Sequence, residues 1–188
     1  MLALAAAAAH AHTETGVAGG LVSGFLHPIF GPDHLVAMVA VGLWGAQLGA
    51  PAIWALPITF PLVMAFGAVL GVAGFPLPGV ELGVSASALV LGAMVALCVR
   101  PPLAVAGVLV AAFAIFHGFA HGTELPAAAN PLAYGVGFVT STGLLHLCGI
   151  LLGTLIRWPA GMHVVRASGG VVAACGAYFL AVNLGVLA

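Results

Sequence analysis

The chain has 188 residues, 63% of them hydrophobic, with three arginines, four acidic residues and no lysine. A water-facing domain of this length carries about a quarter of its residues as Asp, Glu, Lys and Arg, so a chain at 4% has no surface for water and reads as an all-α integral membrane protein. Without lysine there is no GxxxxGK[ST] phosphate loop and no Schiff-base amine, and three arginines form no basic patch to hold a nucleic acid.

The opening MLALAAAAAHAH holds an apolar core ending in Ala9-His10-Ala11, a small-x-small pattern of the kind signal peptidase cleaves. Residues 1–11 are therefore expected to be a signal peptide, and 12–188 a single transmembrane helical domain. From Gly16 onward the apolar runs are interrupted at Gly31-Pro32, Ala50-Pro51, Phe75-Pro76-Leu77-Pro78-Gly79, Pro101-Pro102, the Thr123-to-Pro131 loop and Trp158-Pro159. Each interruption contains a residue that ends helices. The predicted segments are 16–30, 33–50, 53–74, 82–99, 102–121, 131–157 and 166–187. Six are long enough to span, whereas 16–30 covers only about 22 Å at a rise of 1.5 Å per residue and is expected to be re-entrant or a half helix. If 16–30 crossed fully, Arg100, Arg157 and Arg166 would all lie outside, against the positive-inside bias. With six crossings they face the cytoplasm of a bacterial inner membrane, and both termini are periplasmic.

Glycine is abundant, at 27 residues, and the spacings Gly45/Gly49, Gly67/Gly71 and Gly149/Gly153 predict helix faces on which backbones approach closely. Glu81 is expected in a wet loop and His163 on the cytoplasmic surface. Trp44, Trp54 and Trp158 read as interfacial anchors near helix ends. Cys98, Cys148 and Cys175 form no CxxC pair and read as packing residues, with Cys148, two positions after His146, an outside candidate for the site.

An ionisable group inside a bilayer costs at least about 2.5 kcal/mol for a central Asp, which makes each one a functional candidate. Here they cluster. The first group is His27-Pro28-Ile29-Phe30-Gly31-Pro32-Asp33-His34. Its prolines and glycine predict a bend that lets Asp33 turn toward the two imidazoles; alternatively Asp33 simply caps the helix that follows. The second is His117-Gly118-Phe119-Ala120-His121-Gly122-Thr123-Glu124, in which positions 117, 121 and 124 fall on one helix face. Two histidines four apart followed by a carboxylate suit a divalent metal, although an interfacial His pair beside a solvated Glu124 has the same spacing. His146, preceded by Thr140, Ser141 and Thr142, is either the hydrogen-bonded histidine of a helix interface or part of the same polar core. The candidate ligands are thus His27, Asp33, His34, His117, His121, Glu124 and His146.

The stretch from His27 to His34, continuing to Met38 and Gly42, resembles the HPxxGxDHxxxMxxxG signature of the HupE/UreJ family, and His117-Gly118-Phe119-Ala120-His121-Gly122 with Glu124 is similar to that family's second His-rich motif. The resemblance covers essentially the whole chain. It implies a membrane permease for Ni2+, or for Co2+, that supplies a hydrogenase or urease and its maturation proteins, with no prosthetic group and no enzymatic activity. Imidazole and carboxylate donors suit Ni(II), Co(II) or Zn(II). A permease must hold its ion weakly enough to release it, so two partial shells are expected rather than one closed cage. In this reading the ion passes Glu124 and His121, is held by His27, Asp33, His34 and His117, and leaves past His146. Ligand imidazoles must be neutral, so uptake is expected to fall below about pH 6.5. Two other classes fit the same residues: an intramembrane zinc hydrolase, and an accessory protein that binds nickel without moving it.

Overall fold

The computed structural model describes residues 16–125 and 130–187, so the expected signal peptide lies outside the described residues. Seven α-helices account for most of them: α1 Gly16–Phe30, α2 Pro32–Leu48, α3 Ala52–Val72, α4 Val80–Ala96, α5 Leu103–Thr123, α6 Pro131–Gly153 and α7 Pro159–Asn183, with a 3-10 turn at Thr154–Arg157. Among the described residues there is no strand. Four helical stretches are long and apolar enough to cross a bilayer: α3, α5, α6 with its 3-10 tail, and α7. The bent pair α1 and α2 makes a fifth when taken as one span. Six full spans are not all matched, because α4 has 17 residues, about 25 Å of rise against a hydrocarbon core of about 30 Å.

The breaks have the local causes expected, with shifts at their edges. Gly31 alone interrupts the first pair, by a 79° bend, while Pro28 stays inside α1. Pro159 starts α7 seven residues earlier than predicted, since a proline at the first helical position loses no hydrogen bond. His163 and Arg166 are therefore helical, and Glu81 stands in the first turn of α4 rather than in a loop.

Close backbone packing determines the arrangement. A Cβ on Gly67 or Gly71 of α3 would come within 2.5 Å of the Ile115 or Phe119 carbonyl of α5, so this pair packs as the spacing predicts. Gly149 and Gly153 likewise lie against α2. The Gly45/Gly49 pair does not make such a face: Gly49 ends α2 with φ +80, a backbone conformation that L side chains avoid, and nothing lies near it. Gly20 and Gly24 of α1 meet Asn130 and Tyr134 on the outer half of α6, and Gly42 of α2 meets His146 on its inner half. The two short helices thus follow one another along α6, as a half helix and its continuation.

One end of the bundle collects the arginines. Arg100 separates α4 from α5, Arg157 closes the turn after α6, and Arg166 Nε donates to the Ala96 carbonyl at 2.9 Å. Trp44, expected as an interfacial anchor, is instead fully buried, with Nε1 donating to the Val99 carbonyl at 3.0 Å. Trp54 and Trp158 are exposed.

Candidate metal centre

The bend at Gly31 brings the first motif together. His27 near the end of α1 and His34 in the first turn of α2 face one another with ring centroids 6.3 Å apart. Gly31, not Asp33, is the N-cap of α2. Asp33 Oδ1 accepts from the His34 backbone N–H at 2.8 Å and lies 2.9 Å from His34 Nδ1. An ionised carboxylate can only accept, so Nδ1 of His34 carries the proton and Nε2 carries the lone pair. A carboxylate behind a histidine is a common means of orienting a metal ligand.

The second motif supplies the facing wall. On α5 the i, i+4, i+7 spacing turns His117, His121 and Glu124 toward α1 and α2. The His121 ring lies 4.8 Å from that of His27 and 4.5 Å from that of His34, and the His117 ring lies 4.7 Å from His34. At the mouth, Glu124 Oε2 is 3.2 Å from His27 Nε2. That hydrogen bond from His27 holds the Glu124 carboxyl below the usual carboxylate range, against the opposing effect of its partial burial. One ligand atom each from His27, His121 and Glu124 lies within 4.8 Å of the other two, close enough for all three to converge on one ion.

Four imidazoles therefore run inward in steps of similar size, from His27 to His121 to His34 to His117. Past them the character changes. Phe60 of α3 is fully buried and its ring meets both His117, at 5.3 Å, and His146, at 5.6 Å. His146 is turned toward the backbone of Pro57 and makes no ring contact with the other histidines among those described. Cys148 is exposed and away from the cluster, so it has no place in the site. Ser141 and Thr142 are buried, whereas Thr140 is exposed, its hydroxyl donating to the Val136 carbonyl.

Burial makes the free ring nitrogens conspicuous. His34, His117 and His121 are 7%, 0% and 4% exposed. His34 Nε2, His117 Nδ1 and both nitrogens of His121 have no hydrogen-bond partner. Leaving a buried polar atom unpaired costs about 1–3 kcal/mol, and native cores tolerate few. Four such atoms within one group of edge-on and tilted imidazole rings, each neutral ring offering one lone pair, mark a place suited to a ligand. Imidazole nitrogen with carboxylate oxygen is a donor set for borderline divalent ions. An apolar cleft of about 480 Å³ between α3, α5 and α6, with Met64, Ala68, Val72, Leu132 and Phe138 on its walls, touches the cluster at His121. Its apolar walls offer an ion nothing to bind; what it supplies is a flank of low polarity.

Sequence reasoning missed two participants. Phe60 is one of ten phenylalanines and nothing in its neighbours distinguishes it. Ser87 Oγ lies within hydrogen-bond distance of Nε2 of buried His117 across the α4–α5 interface, at 2.8 Å. Its only signal was that Ser85 and Ser87 are the sole hydroxyls in an otherwise apolar stretch.

The family described as HupE / UreJ protein matches residues 1–179 of the chain. Protein HupE of Rhizobium leguminosarum bv. viciae is 44% identical over 171 residues, which cover 90% of this chain and 90% of the relative. No solved structure matches.

Proposed function

The chain belongs to the HupE/UreJ family, and from that premise we propose that it is a permease for a divalent transition metal ion, Ni2+ first and Co2+ second, which it delivers toward a hydrogenase or urease and its maturation proteins. The observation that carries the proposal is the row of four imidazoles with centroid steps of 4.8, 4.5 and 4.7 Å. Neighbouring partial shells let an ion exchange one ligand at a time without regaining its full hydration, which a single closed cage would prevent.

In this reading the outer shell is His27, His121 and Glu124, at the end of the bundle opposite the arginines. Glu124 supplies the negative charge that draws a hydrated cation, and the two imidazoles replace water. The inner shell is His34 and His117, with Asp33 behind His34 as the group that orients it. Phe60 contacts both His117 of this shell and His146, the next donor toward the arginine end. The positive-inside bias puts that end in the cytoplasm of a bacterial inner membrane, and the mouth and both termini in the periplasm. Transport is therefore inward.

The test is uptake of labelled Ni2+ into proteoliposomes, with Co2+ and Zn2+ in competition. His34→Ala is expected to reduce uptake to that of empty liposomes. Wild-type uptake no greater than that of empty liposomes would overturn the permease. Nickel bound in detergent but not moved would identify a non-transporting accessory protein, and release of fatty acid from lipid with one tightly held zinc would identify a hydrolase.

A further inference from the structure

Ser85 and Ser87 of α4 face different partners. Ser85 Oγ accepts from Asn183 Nδ2 at 2.8 Å and ties α4 to α7. Ser87 turns toward α5, where its Oγ lies 2.8 Å from His117 Nε2. The same hydroxyl donates to the Val84 carbonyl at 2.6 Å. A serine hydroxyl has one proton, and that proton is committed to Val84. Toward His117 the oxygen can only accept, so His117 Nε2 must carry the ring hydrogen and Nδ1 the lone pair. His117 Nδ1 is a buried ring nitrogen without a partner, and the ring is packed against that of His34.

We infer that Ser87 is a positioning residue that locks His117 in its Nε2–H tautomer, so that Nδ1 is presented to the ion. This rests on the metal reading above. His34 and His117 are then set in opposite senses: Asp33 takes the Nδ1 proton of His34 and frees Nε2, while Ser87 takes the Nε2 proton of His117 and frees Nδ1. The two partners also differ in charge. His34 is backed by a carboxylate and His117 by a neutral hydroxyl. Ser87→Ala removes the acceptor. The Nε2–H is then buried without a partner, as an Nδ1–H would be, so neither tautomer is favoured and Nδ1 is no longer held free for the ion.

The experiment is solid-state NMR of 15N-histidine-labelled, metal-free protein in bilayers, with the His117 signals assigned by their loss in His117→Phe, alongside Ni2+ titration of wild type, Ser87→Ala and Ser87→Thr. Wild-type His117 is expected to be protonated at Nε2. Ser87→Ala is expected to show a mixture of Nδ1- and Nε2-protonated rings and about 10–100-fold weaker Ni2+ binding, the usual range for loss of a group behind a metal ligand, with Ser87→Thr restoring the single tautomer and the affinity. Wild-type protonation at Nδ1, or Ser87→Ala binding within about twofold of wild type, overturns the role of Ser87. Should Ser87→Ala fail to fold, the wild-type tautomer and Ser87→Thr still decide the question. A wild type that binds no metal overturns the permease and with it the ligand role of Nδ1, whereas normal binding by Ser87→Ala overturns only the role of Ser87.

Discussion

At the arginine end of the bundle, Trp44 Nε1 donates to the Val99 carbonyl at 3.0 Å, Gln47 Nε2 to the Val95 carbonyl at 3.0 Å and Arg166 Nε to the Ala96 carbonyl at 2.9 Å; at the opposite end, His34, His117 and His121 hold four buried ring nitrogens with no partner. Both regions bury polar side chains in an apolar bundle, Trp44 and Gln47 in the first and the three histidines in the second, while Arg166 is exposed. The first directs them at backbone carbonyls at and just beyond the C-terminal end of α4, so its polar groups belong to the architecture. The second leaves lone pairs open at a cost in stability, which is the behaviour of a site whose missing partner is a ligand. Open atoms also occur outside this cluster, at Gln47 Oε1 and, on α6, at Ser141 Oγ, Thr142 Oγ1 and both ring nitrogens of His146, but among the described ring contacts none of these joins the row of imidazoles.

The sharpest way to break this comparison is at His121, whose ring touches both His27 and His34. His121→Leu is expected to reduce Ni2+ uptake by at least about 100-fold, since in the proposed permease it removes a ligand itself and not a group behind one, while thermal stability stays equal or rises because two unpaired nitrogens leave the core. A drop in melting temperature with uptake retained would make His121 architectural and end the distinction. Gln47→Leu is the converse. It is expected to destabilise by about 1–3 kcal/mol, read as a lower melting temperature, with Ni2+ affinity unchanged. Loss of affinity there would extend the site to the arginine end.

The smallest effect is expected at Glu124. Glu124→Gln keeps the shape and removes the charge, and about tenfold slower uptake at neutral pH is expected from loss of a charged, partly exposed ligand. Its stability effect has a defined sign. The hydrogen bond from His27 lowers the Glu124 pKa on folding, so the stabilisation is fully present above the unfolded value, about 4.3, and is lost as pH falls through the lowered value. The melting-temperature difference between wild type and Glu124→Gln is therefore expected to be small, because the pair is partly exposed, and to close on acidification below about pH 4. A difference that widens in acid would mean that the carboxyl is held in its protonated form.

Much of this was readable from local pattern. The breaks at Gly31-Pro32, Ala50-Pro51 and Pro101-Pro102 separate helices where expected, because proline and glycine act on the backbone nearest them. The α5 motif was legible for the same reason: the spacing of His117, His121 and Glu124 is a property of one helix. What was not legible depends on other helices. Trp44 near a helix end looks like an interfacial anchor until α4 covers it. Gly49 has the spacing of a packing glycine, yet serves as a turn. His146 shares the chemistry of the other histidines, but its ring meets Phe60, from a different helix, and none of theirs among the described contacts.

By itself the sequence determined that the chain lives in a bilayer, that it is helical, and that its few ionisable groups fall into two His-rich motifs, because charge scarcity and local spacing need no knowledge of the fold. Only the tertiary structure decided how those groups are partnered. The 79° bend at Gly31 sets His27 and His34 against α5, joins Glu124 to His27 and leaves Asp33 on His34, and the packing of α4 on α5 brings Ser87 to His117. The reason is one of range: a hydrogen bond acts within about 3 Å, and residues far apart in the chain reach that distance only when backbones pack.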